Sequence, residues 1–165
     1  MRIEYNICKA DIICGEITSE LTGSEGRSRW VFEYAGSDCF KHIDAELDSS
    51  MHILRMKYDM HVSAGTVSSQ IERVNDWTYL INGREVKTRK MIAVFEMIFL
   101  LGSGRVFDNA VLYNPPTDDF TPINLKESGD KYAVLYPGLC NILVSAGHVS
   151  SCEMPRDDMM ISVRN

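Results

Sequence analysis

The sequence has no apolar stretch near the roughly 20 residues that a membrane-spanning helix needs. Its longest apolar run, Met91 to Leu101, is shorter and is interrupted by Glu96. The opening residues, MRIEYNICKADIICGE, lack the long apolar region and small-residue cleavage site of a secretory signal, so a cytoplasmic protein is expected. An excess of positive charge is also missing. Lys and Arg number 17 against 23 Asp and Glu, and the net charge of −6 argues against nucleic acid as a partner, because phosphate binding needs concentrated positive charge. The cluster Lys87, Arg89 and Lys90 reads as a solvated strand end. No C-x-x-C occurs. Cys8, Cys14, Cys39, Cys140 and Cys152 are irregularly spaced and read as reduced, mostly buried thiols. His42, His52, His61 and His148 form neither H-x-x-x-H nor H-E-x-x-H, and no metal is expected. There is no serine-nucleophile motif and no dinucleotide fingerprint. The GSGR at Gly102 lacks the lysine and helix start of a phosphate loop, so no cofactor is expected either.

What the sequence does have is alternation. Apolar and polar residues take turns in short runs separated by turn residues, the pattern of half-buried strands. Runs at Arg2–Lys9 and Ile12–Leu21 are followed by RWVFEYAG, which puts Trp30, Phe32 and Tyr34 on one face. FKHIDAELD sets Ile43, Ala45 and Leu47 against His42, Asp44, Glu46 and Asp48; MHILRMKYDMH sets His52, Leu54, Met56, Tyr58 and Met60 against Arg55, Lys57, Asp59 and His61. A two-residue Ser49-Ser50 turn would place Asp44 opposite Arg55 and His42 opposite Lys57, although Ser-Ser lacks the glycine or asparagine of a tight turn and a longer loop also fits. Thr66–Val74 reads as a further strand. DWTYLINGREVKTRK, Asp76 to Lys90, is the clearest hairpin: Asn82-Gly83 supplies a type I′ turn, and Trp77, Tyr79 and Ile81 share a face.

Met91–Leu101 fits a strand by its β-branched and aromatic content and a helix by its length; the strand is preferred. Arg105–Tyr113, Ile123–Glu127, Lys131–Tyr136, Leu139–Ser145 and His148–Met154 complete the strands. NPPTDDFTP reads as a loop and PRDDMM as the start of a terminal helical turn. No repeat or domain boundary appears, so residues 1–165 are expected to form one all-β domain with little helix. A dozen or so antiparallel strands would leave an apolar face and two edges exposed if flat, so the single sheet is expected to roll into a barrel or half-barrel around a cavity.

The stretches DWTYLINGREV and KYAVLYPGLCNILVSAGHVSSCEMP (Lys131–Pro155) resemble the bacterial glycolipid-binding family. Asn82, Gly83, Arg84 and Val86 match its mid-chain hairpin, and Gly147 and Pro155 stand in its tail positions. Where the family has a Phe-Thr-Pro-x-Thr-Asn stretch, this chain has EMIFLLGSGRVFDN. The resemblance implies a sheet rolled around an apolar interior, in the style of bacterial lipoprotein carriers, and binding of an amphiphile. It brings no catalytic residues.

Three functions follow. The first is a binding protein that holds an apolar or amphiphilic, lipid- or glycolipid-like small molecule against Trp30, Phe32, Tyr34, Met56, Tyr58, Trp77 and Tyr79, aromatic and methionine side chains suited to such ligands. The second is a cofactor-free cyclase, isomerase or dehydratase in the same cavity, using Glu96, whose carboxylate sits in the most apolar run, or His52, on an apolar strand face. His61 beside Asp59 is a weaker acid–base pair on an outer face. The third is a homo-oligomeric structural protein, a homodimer joined through its sheet edges.

Overall fold

The computed structural model describes residues 1–24, 26–103, 107, 109–136 and 138–164. Strands β1 (Arg2–Lys9), β2 (Ile12–Ser24), β3 (Arg27–Gly36), β4 (Cys39–Asp48), β5 (Ile53–Val62), β6 (Gly65–Asn75), β7 (Thr78–Ile81) and β8 (Arg84–Lys87) follow one another as an antiparallel meander. The chain then leaves this sheet. β9 (Met91–Ala93) leads into a 3₁₀ helix, Phe95–Leu100, and β10 (Ala110–Asn114) and β11 (Asp119–Pro122) follow. β9 pairs in parallel with β10, and the three strands form a small sheet of their own. A second meander, β12 (Asn124–Ser128), β13 (Lys131–Tyr136), β14 (Cys140–Ser145), β15 (His148–Met154) and β16 (Met159–Val163), rejoins the first where β16 pairs with β1, Ile161 opposite Ile7. The result is all-β: one antiparallel sheet of 13 strands, with its first and last strands side by side in the middle.

Of the expected barrel or half-barrel, the closed barrel does not form. No described pairing joins β8 to β12, so the sheet has two edges and stays open. It is nonetheless curled. Met91 lies against Tyr79 on β7, while Gly102 lies against Val144 on β14 and Gly147 beyond it. Those strands are nine spacings apart in the sheet, about 43 Å if it were flat. The twelve residues from Met91 to Gly102, six of them in the compact 3₁₀ helix, reach only about 30 Å. The sheet therefore bends around them. Gly102 is suited to this approach: its φ is +90°, and an added Cβ would fall 2.7 Å from Val144 Cγ1.

The inner face of the sheet carries the core in cross-strand rows. Ile17 lies opposite Tyr5, Ile43 opposite Phe32 and Tyr58, Met56 opposite Ala45 and Ile71, and Ile71 opposite Ile81. The alternation of the sequence survives in these rows because a strand's side chains change face at every residue. The hairpin at Asn82-Gly83 forms as its residues dictate, with φ of +52° and +79°.

Several details refine or correct the sequence reading. The β4–β5 connection is longer than Ser49-Ser50, because the Asp48 carboxylate accepts hydrogen bonds from the Ser50 and His52 amides and builds a wider turn. Asp44 therefore faces Lys57, and Glu46 faces Arg55. The register moves by two residues, which keeps Ala45, Met56 and Tyr58 inward, while a bulge between Glu46 and Leu47 turns Ile53 inward opposite Leu47. Met91–Leu101 is a strand only over its first three residues. Part of NPPTDDFTP is strand β11, and PRDDMM is a turn into β16, not a helix. Trp77 precedes β7 and is 55% exposed, off the face that Tyr79 and Ile81 share. Of the five cysteines, only Cys140 and Cys152 are buried.

Candidate functional site

The expected cavity side is filled by the chain itself. Ile92, Ala93, Val94, Met97, Ile98, Phe99, Leu100 and Leu101 are all buried and line the inner face of the sheet. Phe99 is the centrepiece, with its ring centroid 5.0 Å from Tyr5 and 5.5 Å from Phe32; Trp30 lies 5.6 Å beyond Phe32. Such tilted aromatic contacts add to the simple burial of area. Of the residues expected to hold a ligand, Trp30, Phe32, Met56, Tyr58 and Tyr79 come together on this face and are buried beneath the covering run. Tyr34 is half-buried at its margin and Trp77 lies away from it. The Trp30 indole is satisfied, donating to Ser19 Oγ at 2.9 Å.

Against this apolar surround lies a charged pair. Lys41 Nζ donates to Glu96 Oε1 at 2.8 Å, with side chains 28% and 12% exposed. Burial alone would pull the Lys41 ammonium down, but the Glu96 carboxylate outweighs it and the net shift is upward. Tyr58 stands beside both. Burial first, and then the charge of Glu96, push its hydroxyl up to about 12. Arg84, an arginine that could have answered a buried Glu96, pairs with Asp118 instead. Lys41 was legible all the same. It shares the parity of Ile43, Ala45 and Leu47, so it is a lysine on the apolar face of its strand and requires a buried anion.

His52 is placed differently from the sequence reading. It precedes β5 rather than lying on its apolar face, and its Nδ1 is 3.7 Å from Asp48 Oδ2. Glu96 and His52 thus have separate partners. Asp48 also accepts from Arg73 Nη2 at 2.9 Å. Burial alone would raise the Asp48 carboxyl, but the amides of His52 and Ser50 and the Arg73 guanidinium hold it below the usual carboxylate range. A carboxyl depressed by folding stabilises the fold above its unfolded pKa, about 4, and loses that contribution as pH falls through the folded value. The urea midpoint of the protein is therefore expected to fall steeply below about pH 4. An Asp48→Asn variant should be less stable at neutral pH and lose less on acidification; equal acid slopes for the two proteins would contradict this.

Two buried polar atoms have no described partner, the Tyr5 hydroxyl and His52 Nε2. Tyr5 is 1% exposed against Phe99, and burial drives its hydroxyl pKa upward. An unsatisfied buried hydroxyl costs about 1–3 kcal/mol. Tyr5→Phe is accordingly expected to raise the melting temperature by about 2–4 °C; a fall in a thermal melt would show that the hydroxyl is satisfied.

The other depressions described lie elsewhere. One of about 600 Å³ is formed on the charged outer face of β3–β7, around Arg29, Asp44, Arg55 and Glu72. Another, of about 360 Å³, opens where Phe95 meets Leu139, Cys140 and Met154. Among the described residues no group of three or more His, Cys, Asp or Glu is placed to hold a metal, and no helix is long and apolar enough to cross a membrane. Comparison with family models, curated proteins and solved structures found no match to this chain.

Proposed function

We propose that this protein binds an apolar or amphiphilic small molecule on the inner face of its curled sheet, in the space that its own run Phe95–Leu101 fills when no such molecule is bound. The observation that supports this reading is the nature of the covering run. It is not a ladder-bonded strand or a regular α-helix but a single stretch of 3₁₀ helix, a geometry with weaker hydrogen bonds, and its Val94 start has no side-chain cap. Its side chains are apolar except for Glu96, whose carboxylate rests on Lys41. A greasy segment with one anionic group is the chain's own imitation of an amphiphile. Displacing it would uncover Trp30, Phe32, Met56 and Tyr58 for an alkyl chain. Lys41 and the unpartnered Tyr5 hydroxyl would then be offered to a polar group. A depression open to solvent lies at the start of the covering run, beside Phe95.

The test uses two probes below their micelle thresholds, dodecanoate with a carboxylate head and dodecyl maltoside with a sugar head. A Trp77→Phe background leaves Trp30 as the sole indole. Saturable one-to-one binding that changes Trp30 fluorescence is expected for at least one of them. If neither binds saturably, the inner face is an ordinary core and the reading fails.

A further inference from the structure

We propose that Cys140 and Cys152 form a disulfide that staples β14 to β15. The register of these strands sets Ile142 opposite Cys152 and Asn141 opposite Glu153, so Cys140 lies diagonally across from Cys152 on the same face. Both point into the core, 1% and 0% exposed. Their sulfurs are 2.7 Å apart. That is closer than two independent thiols pack, and it lies near the bonded separation of about 2.05 Å. A shared metal does not account for it. Two thiolates on one tetrahedral zinc, each about 2.3 Å from the ion, stand about 3.8 Å apart, and among the described residues no third ligand joins them. The remaining cysteines lie on β1, β2 and β4, where Cys14 donates to the Ile7 carbonyl.

The oxidant is a small-molecule disulfide such as oxidised glutathione. The Cys140 thiol is held lower than Cys152 by the hydrogen bond between them, which makes it the attacking sulfur. Its thiolate attacks one sulfur of the oxidant and expels a thiolate, which takes up the proton that Cys140 lost. The Cys152 thiolate then attacks Cys140 Sγ, forms the Cys140–Cys152 bond and expels the second thiolate, which takes up the proton from Cys152. Two protein thiols are oxidised and one disulfide is reduced to two thiols. Because both sulfurs are buried, exchange takes place before the two strands dock or while they are locally open, and the finished bond is shielded from reductant in the folded protein.

The bond can be read from one peptide. Trypsin releases Tyr132–Arg156, which contains Cys140 and Cys152 and no other cysteine. The full chain is refolded in a glutathione redox buffer, denatured, alkylated with iodoacetamide and digested without reduction. The peptide is expected to carry no alkyl group and to be two hydrogen masses lighter than the dithiol. After reduction it should accept two alkyl groups. Two alkyl groups without prior reduction would overturn the proposal. A second reading is thermal: reductant should lower the melting temperature of the wild-type chain by about 6–12 °C and leave a Cys140→Ala/Cys152→Ala variant unchanged. An equal response in both proteins would place the redox sensitivity elsewhere and overturn it as well.

Discussion

Phe99→Ala is expected to destabilise the fold by about 3–5 kcal/mol, the usual loss when a buried aromatic ring becomes a methyl group. The ring is 5% exposed and joins the covering run to the middle of the sheet through Tyr5 on β1 and Phe32 on β3. No neighbour can easily collapse into the gap, because Tyr5 and Phe32 belong to adjoining parts of a hydrogen-bonded sheet whose strands keep their spacing. The melting temperature should fall by about 10 °C. The same variant opens a void beside Tyr5 and Phe32, so its affinity for dodecanoate should rise about tenfold, a shift equivalent to about 1.4 kcal/mol. Urea denaturation and fluorescence titration of one preparation measure both. A stability loss below 1 kcal/mol would mean that the run does not rest on the sheet through Phe99.

The second large effect concerns the buried pair. Lys41→Met removes the partner of a carboxylate that is 12% exposed. Breaking a fully buried pair costs about 3–5 kcal/mol. The Lys41 side chain is 28% exposed, and solvent screening reduces the expected loss to about 2 kcal/mol. The combined change Lys41→Met with Glu96→Leu should recover most of it, since a well-packed apolar pair often matches a buried ion pair in stability. A double-mutant cycle by urea denaturation isolates the coupling. Additive losses in the two single variants would show that Glu96 finds its stabilisation elsewhere. Because Lys41 stands on β4 and Glu96 on the covering run, the single variant should also speed amide exchange over Phe95–Leu101.

Much of the fold was legible because strands announce themselves through alternation, and alternation ignores what lies far away in the chain. The hairpin at Asn82-Gly83 and the inward rows of Trp30 with Phe32 and of Ile43 with Ala45 follow from local spacing alone. Phe95–Leu100 defeated the same reasoning. A run that is apolar on all sides has no period to read, and its conformation is set by the concave sheet it fills. Trp77 was misplaced because it lies in the turn before β7, its amide donating to Asn75 Oδ1, where a count by twos does not apply. β16 was missed since Pro155 followed by Arg-Asp-Asp resembles a helix start as much as a turn. The site was half visible. Glu96 stood out as an anion in apolar surroundings, and Lys41 was its mirror image on β4, but joining them requires contact across 55 residues of sequence.

The binding reading rests on Phe95–Leu101 giving way to a ligand. Hydrogen exchange of the backbone amides, measured with and without saturating dodecanoate, addresses that exchange of occupants. Amides of Phe95–Leu101 should exchange faster in the bound protein, while those of β1, β3 and β5 keep or gain protection. Saturable binding that leaves Phe95–Leu101 as protected as before would contradict the account, because the ligand would then be sitting somewhere other than the inner face of the sheet.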